Sequence, residues 1–339
     1  MATFTRFSED DIVITTEKVF TSTWSNNTNE LTGATDETSS AQAIFTSPTS
    51  SGQYYIDVYN ADATLDSSEI QYSVSYGHKK GSGSEDINDG SGAGGYNASR
   101  AIYSQYRSLV YGDETRDFSF DGTTPDDIYV ININRARYKQ TLRIGSLNLK
   151  IGSAELTDDS VTSNGASVLT NVGRQYNIVS GSSGVMLGSV LSQTDSGSYG
   201  LFYPDAGFII LNAGAVSASK DLMGTAPERN SDTQDLNHQS LINAIDTGGS
   251  FIIDTQENIS SQFYFVRAKN KDFNYTTNAS FIDENGNLNF TSMIDNPVTY
   301  ITTVGLYNDS NELLAVAKLS QPITKDFTKE ALIKVKLDY

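Results

Sequence analysis

The 339-residue sequence has no cysteine, only two histidines (His78 and His238), and 23 basic residues against 41 acidic ones. Without cysteine there is no disulfide framework and no thiolate chemistry, and composition carries no record of the redox compartment. Zinc sites draw on Cys and His, so two histidines leave almost nothing to build one from. A formal charge of −18 disfavours nonspecific binding to nucleic acid or to an anionic membrane, because both need net positive surface. No run approaches the roughly 18–20 apolar residues that span a bilayer as a helix. The first residues, Met1 to Phe7, lack the basic-then-apolar pattern of a secretory signal, so synthesis in a cytosol is expected.

What remains is rich in Ser, Thr, Asn and Gly, carries 19 tyrosines, and alternates with a period of two. That period is the signature of a half-buried strand. It is clearest at the end of the chain, where Ile333, Val335, Leu337 and Tyr339 face one way and Lys334, Lys336 and Asp338 the other. Tyr54–Tyr59 and Ile70–Tyr76 form a loose hairpin pair, and aromatic and β-branched residues suit a pleated surface. Strands are also expected over Tyr129–Ile133, Leu147–Ile151, Phe208–Leu211 (buried throughout), 251–253, 262–267, 280–290, 299–307, 312–319 and 331–339. The terminal strand is expected in one sheet with the 299–319 hairpin. Two helices are expected: one with Ser99 as cap, Ile102, Tyr106, Leu109 and Val110 at helical spacing and Gly112 as stop, and one near 235–247 with Asp235 as cap, Leu241, Ile242 and Ile245 inward and Gly248–Gly249 as stop. Segments 25–52 and 77–98 are polar or glycine-rich and read as loop or flexible connection. The fold class is mainly β, in antiparallel sandwich-like or barrel-like domains with two short helices. The expected division is a β-rich region over 1–85, a glycine-rich linker and helix over 86–125, and β-rich C-terminal structure over 126–339.

No arrangement of residues marks a reaction. Asp283–Asn287 and Asp86–Gly90 resemble fragments of calcium loops but lack the spaced acids and closing Glu, so turn chemistry explains both. The adjacent acids Asp10–Asp11, Asp126–Asp127 and Asp158–Asp159 are expected to be solvated loop residues, not a converging pair. A Ser/His/Asp triad needs His78 or His238, and Asp235 is more simply a helix cap. Gly90–Gly95 lacks the Gly-Lys-Ser/Thr ending of a phosphate loop. No catalytic, cofactor-binding or metal-binding residue is assigned, and no enzyme activity is expected. The sharpest charge asymmetry is Arg135, Arg137, Lys139 and Arg143, in a stretch without an acid. It reads either as a solvated strand face or as a docking strip for an acidic surface, such as a neighbouring copy of the same chain. Lys318, Lys325, Lys329, Lys334 and Lys336 form a second, weaker strip.

Several blocks resemble a known family. Asp127–Lys139 (DIYVININRARYK), Ser99–Arg107 (SRAIYSQYR), Tyr199–Asp205 (YGLFYPD) and Thr303–Ser320 (TVGLYNDSNELLAVAKLS) with the terminal strand are similar to structural proteins of marine contractile-tailed bacteriophages, cyanophages included. The resemblance runs from about Tyr54 to Tyr339. It implies a non-enzymatic virion protein of the tail or baseplate, assembled in the host cytoplasm. Its expected partners are other virion proteins, copies of itself included, with no nucleic acid and no membrane. The alternative is a neck, capsid-decoration or fibre protein binding a host glycan, with an exposed Trp24 and tyrosines stacking on sugar. A polysaccharide-degrading enzyme ranks third.

Overall fold

A computed structural model describes residues 4–28, 30–32, 42–43, 45–46, 55–61, 64–83, 97–152, 154–188, 198–218, 227, 237–274 and 280–338. The chain is mainly β, with 47% strand against 16% helix, in antiparallel sheets that include a curled half-barrel. In chain order the first elements are β1 (Ile12–Ser22), β2 (Glu30–Thr32), β3 (Gln42–Ala43), β4 (Phe45–Thr46), β5 (Tyr55–Tyr59), β6 (Ile70–His78) and α1 (Ala98–Tyr111). Then come β7 (Asp127–Ile133), β8 (Thr141–Leu142), β9 (Asn148–Ile151), β10 (Ala154–Asp158), β11 (Val168–Thr170), β12 (Gly173–Ser182), β13 (Val185–Met186), β14 (Gly200–Tyr203) and β15 (Phe208–Asn212). The rest are α2 (Ala213–Ala218), α3 (Asn237–Asp246), β16 (Ser250–Ile252), β17 (Asp254–Ala268), α4 (Ser292–Asp295), β18 (Thr299–Tyr307), β19 (Leu313–Lys325) and β20 (Ala331–Asp338). The two expected helices are α1 and α3; α2 and α4 are short additions.

Two compact units result: unit 1 is Met1–Lys18 with Asn258–Tyr339, and unit 2 is Val19–Glu257. This differs from the division at 85/86 and 125/126, and strand pairing is the reason. β6 pairs antiparallel with β7 from Tyr72↔Ile133 to His78↔Asp127, so both expected boundaries lie between neighbouring strands of one sheet.

Unit 2 is built on a long sheet ordered β3-β2-β16-β9-β10-β12-β14-β15-β7-β6-β5-β4, antiparallel apart from β2 with β3. Its middle is covered on both sides. Tyr129, Ile131 and Ile133 of β7 join one core with Tyr72, Val74, Ile209 and Leu211, together with Leu241, Ile242 and Ile245 of α3. Ile128 and Val130 of the same strand face a second core with Leu201, Tyr203, Phe208 and Ile210, closed by Tyr103 and Val110 of α1 and by Phe118 and Phe120. A strand covered on both faces loses the in–out alternation of a half-exposed one, so β14 and β15 are buried along their whole length. Helix α1 is preceded by Asn97, not Ser99, as its N-cap and ends at Gly112 in the left-handed region at φ 65°. Ser99 Oγ instead donates to the Ser82 carbonyl at 2.9 Å. Of the apolar residues at helical spacing, Val110 is buried and Leu109 is 47% exposed, while Tyr103 is fully buried. Asp235 lies outside the described residues.

Unit 1 carries β17 from Asn258 onward, and the strand lies between β1 and β20. β20 pairs with β17 from Ala268↔Ala331 to Ser261↔Asp338. The terminal strand alternates as its sequence predicts: Ile333 and Val335 are buried, and Lys334, Lys336 and Asp338 are exposed. Tyr339 lies outside the described residues. The strand's hydrogen-bonded partner is not the expected hairpin, because β18 and β19 form a separate two-stranded sheet. That hairpin packs face-on, with Val304 and Leu306 against Ile333 and Val335, and Ile301, Ala315, Ala317 and Leu319 around them.

Lys325, at the end of β19, is fully buried. Its Nζ donates to the Asn270 carbonyl at 2.9 Å, Asn274 Oδ1 at 2.8 Å and the Asp326 carbonyl at 2.9 Å. The ammonium ties the loop after β17 to the end of the hairpin. Lys325→Met removes the only donor offered to these three oxygens by that side chain. A buried acceptor left unsatisfied costs about 1–3 kcal/mol, so chemical denaturation is expected to show unit 1 destabilised by at least about 2 kcal/mol.

Candidate functional site

The basic segment begins where β7 ends. Asn134 accepts a hydrogen bond from the Ala136 N–H and starts a short 3-10 turn, Arg135–Arg137. All four cations proposed as a docking strip find partners inside unit 2. Arg135 lies over the Tyr138 ring at 4.5 Å and donates to the carbonyls of Tyr138 and Lys139. Arg137 reaches Ser25 Oγ and pairs with Glu69 at 2.8 Å. Lys139 pairs with Glu257 at 2.6 Å, and Arg143 pairs with Asp254 at 3.1 Å and lies over Phe20 at 4.2 Å. The Ser25 hydroxyl, then Arg137, hold the Glu69 carboxyl below its ordinary range. The segment pins the turn after β7 to the start of unit 2 and to β17; Arg137, Lys139 and Arg143 pair with acids of the same unit.

A second ionic corner stands beside it. Arg174 grips Asp205 through Nε–Oδ2 at 3.0 Å and Nη2–Oδ1 at 2.5 Å, and the Arg174 backbone N–H adds a bond of 2.8 Å. Burial alone would raise the Asp205 carboxyl, but the Arg174 bonds outweigh it and hold the group low. Nearby, the Tyr138 hydroxyl donates to the Ala206 carbonyl at 2.9 Å. The ring fits because residue 207 is glycine at φ 74°; a Cβ there would stand 2.3 Å from the Tyr138 hydroxyl.

The remaining candidates take structural places. Trp24, expected exposed for sugar stacking, is 2% exposed. Its indole N–H donates to the Phe251 carbonyl at 3.0 Å, and its ring meets Phe251 at 5.0 Å and Tyr72 at 5.9 Å. Asp158 and Asp159, expected solvated, are buried. Asp158 accepts from the Gly145 N–H at 2.8 Å and Asp159 from Asn177 at 3.0 and 2.9 Å, and burial pushes the Asp158 carboxyl up. Asp283 accepts from the N–H groups of Asn285 and Asn287, closing the Asn-Gly turn. Asp86–Gly90 and Gly90–Gly95 lie outside the described residues. His78 is buried at the end of β6, and its Nδ1 accepts from Lys80 and Ser82. His238 Nε2 is buried with no hydrogen-bond partner among the described residues. Among the described residues, no group of three or more His, Cys, Asp and Glu converges as a metal-binding set.

The second lysine strip does not form. Lys325 is buried, Lys329 pairs with Asp326 at 3.3 Å, Lys336 pairs with Asp338 at 3.0 Å, and Lys334 sits 3.9 Å over the Phe263 ring. Unit 1 shows something else. The face of the β18–β19 hairpin opposite its core presents Tyr300 (65% exposed), Leu314 (68%) and Val316 (56%), with Tyr307 and Leu313 also exposed. Phe4 meets the Tyr307 ring edge-on at 4.9 Å. The sequence signal was the Ala315, Ala317, Leu319 series against Leu314, Val316, Lys318: both faces of β19 hold apolar residues, and the larger ones near the tip point out.

Two outcomes follow for unit 2. Arg137→Ala leaves Glu69 and Ser25 without their cation, and urea denaturation at neutral pH is expected to show a loss of about 1 kcal/mol, as for a half-exposed pair. His238 gives a pH signature: burial lowers its pKa from 6.5 to about 4. Below pH 6.5 the unfolded chain takes up a proton that the folded one refuses, so this group withdraws stability as pH falls towards 4, by about 3 kcal/mol in total. His238→Met is expected to remove that part of the slope between pH 7 and 4.5. An unchanged slope would mean His238 titrates normally. Comparison with known proteins adds no neighbour: no family model, no curated protein and no solved structure matches the chain.

Proposed function

We propose that the chain is a structural subunit of a contractile-tailed bacteriophage particle, sited in the tail or baseplate and acting through contacts with other subunits, not through catalysis. One observation carries the reading: the outward face of the β18–β19 hairpin is apolar, aromatic and open. Contiguous exposed apolar surface on a folded unit marks a surface that something else covers. Tyrosine and leucine suit such a contact, since interface centres are rich in aromatics and poor in charge.

The blocks that resemble phage structural proteins lie on framework elements. Asp127–Lys139 is β7 with its turn, Ser99–Arg107 lies in α1, Tyr199–Asp205 contains β14, and Thr303–Ser320 spans the hairpin. The same stretch therefore carries both the resemblance and the open face. In unit 2, Arg135, Arg137, Lys139, Arg143 and Arg174 hold loops in place.

The test is quantitative mass spectrometry of purified particles, with the isolated protein assayed against host cell-wall polysaccharide. The expected result is a fixed ratio of several copies per particle and no release of sugar. Absence of the chain from purified particles would overturn the reading, as would polysaccharide turnover abolished by one Asp or Glu substitution.

A further inference from the structure

Two features distinguish the β18–β19 hairpin from an ordinary exposed edge. Its edges are guarded: the pairing shifts register between Ile301 and Thr303 and again between Leu306 and Tyr307, and Pro322 stands in β19. Bulges and proline are devices that block strand-to-strand addition. Its outward face is unguarded. Gly305 sits opposite Val316, and the Tyr307 ring lies over Gly305, 2.8 Å from where a Cβ would stand, with Leu313 beside it. The result is an apolar strip running from Tyr307 and Leu313 to Val316, bounded by Lys318 and Thr303.

Charge along this strip is polarised. At the hairpin tip stand the exposed acids Asp309 and Glu312, and two residues beyond Val316 stands the exposed Lys318, opposite Thr303. Charge is also unequal between the units. Unit 2 holds 28 of the 41 acids and 13 of the 23 bases, which leaves 13 and 10 in unit 1. Two copies of an acidic chain repel least where they meet through unit 1.

We infer that the outward face of β18–β19 is a self-association surface, occupied by the same face of a second copy related by a two-fold axis near Leu314 and Val316. In that arrangement the hairpins run antiparallel. The acidic tip of each, Asp309 and Glu312, then lies over Lys318 of the other, Leu314 of one copy meets Val316 of the other, and Tyr307 and Leu313 flank that contact. A two-fold contact needs a self-complementary patch, and a strip with acid at one end, base at the other and apolar centre has that property. Two sheets packed face to face sit about 10 Å apart, filled by such side chains. This deepens the structural-subunit reading by naming one partner and one surface, and it rests on that reading for its biological setting.

The test is sedimentation and light scattering of the full chain, with near-ultraviolet circular dichroism to confirm that each variant is folded. The wild type is expected to be a dimer that weakens in high salt. Val316→Glu places two acids at the axis and is expected to give a monomer. Lys318→Glu is expected to weaken the dimer about tenfold or more by setting acid against acid, and adding Glu312→Lys in the same chain is expected to restore it. That rescue separates a contact from a folding defect. A monomeric wild type at every attainable concentration overturns the inference, as does a folded double variant that stays as weak as Lys318→Glu alone. If the wild type is monomeric yet present in particles, the self-contact fails and the structural-subunit reading stands. If it is a dimer yet absent from particles, the reverse holds.

Discussion

Apolar surface left in water costs about 25 cal/mol per Å2, and every sheet must cover its apolar face against something. The two units meet this constraint differently. In unit 2 the sheet is covered on both sides, by α1 with Phe118 and Phe120 on one face and by α3 on the other. Strands β7, β14 and β15 lie in the middle of that stack and are buried almost throughout. In unit 1 the hairpin β18–β19 covers Ile333 and Val335 with one face and leaves Tyr300, Leu314 and Val316 exposed on the other.

Polar groups follow from the same constraint. Once both faces of a sheet are sealed, the turns joining its strands must be held without more apolar material, and unit 2 does this with ions. Arg137 joins the turn after β7 to Ser25 and Glu69, Arg143 joins the next turn to Asp254, and Arg174 clamps Asp205. Unit 1 uses the buried ammonium of Lys325 for a similar task. A basic segment on an acidic chain looks like a docking strip in sequence; in three dimensions Arg137, Lys139 and Arg143 pair with acids from distant parts of the same unit.

Local pattern made part of this legible. Ala331–Asp338 is readable because one of its faces meets water, so the period of two is clean. Asn-Gly at 285–286 and Gly112 are readable because the backbone demands those residues. What escapes is set by residues far apart in the chain. Trp24 lies in a stretch of Ser, Thr and Asn that reads as an exposed loop, yet its indole bonds a carbonyl 227 residues away. Gly200–Tyr203 is too short to show a period and becomes a central strand only through β12 and β15. Asp158 and Asp159 look like solvated loop acids until Gly145 and Asn177 supply their donors. On β19 both faces are apolar, so alternation predicts a strand but not which face turns inward. The open surface could not be read for that reason.

A reconstruction of the purified particle by electron cryo-microscopy tests the central proposal most directly. The expected map contains this chain in several symmetry-related copies, with Leu314 and Val316 covered by another subunit. A map in which the chain is present but that face of the hairpin stands open to solvent in every copy would contradict it.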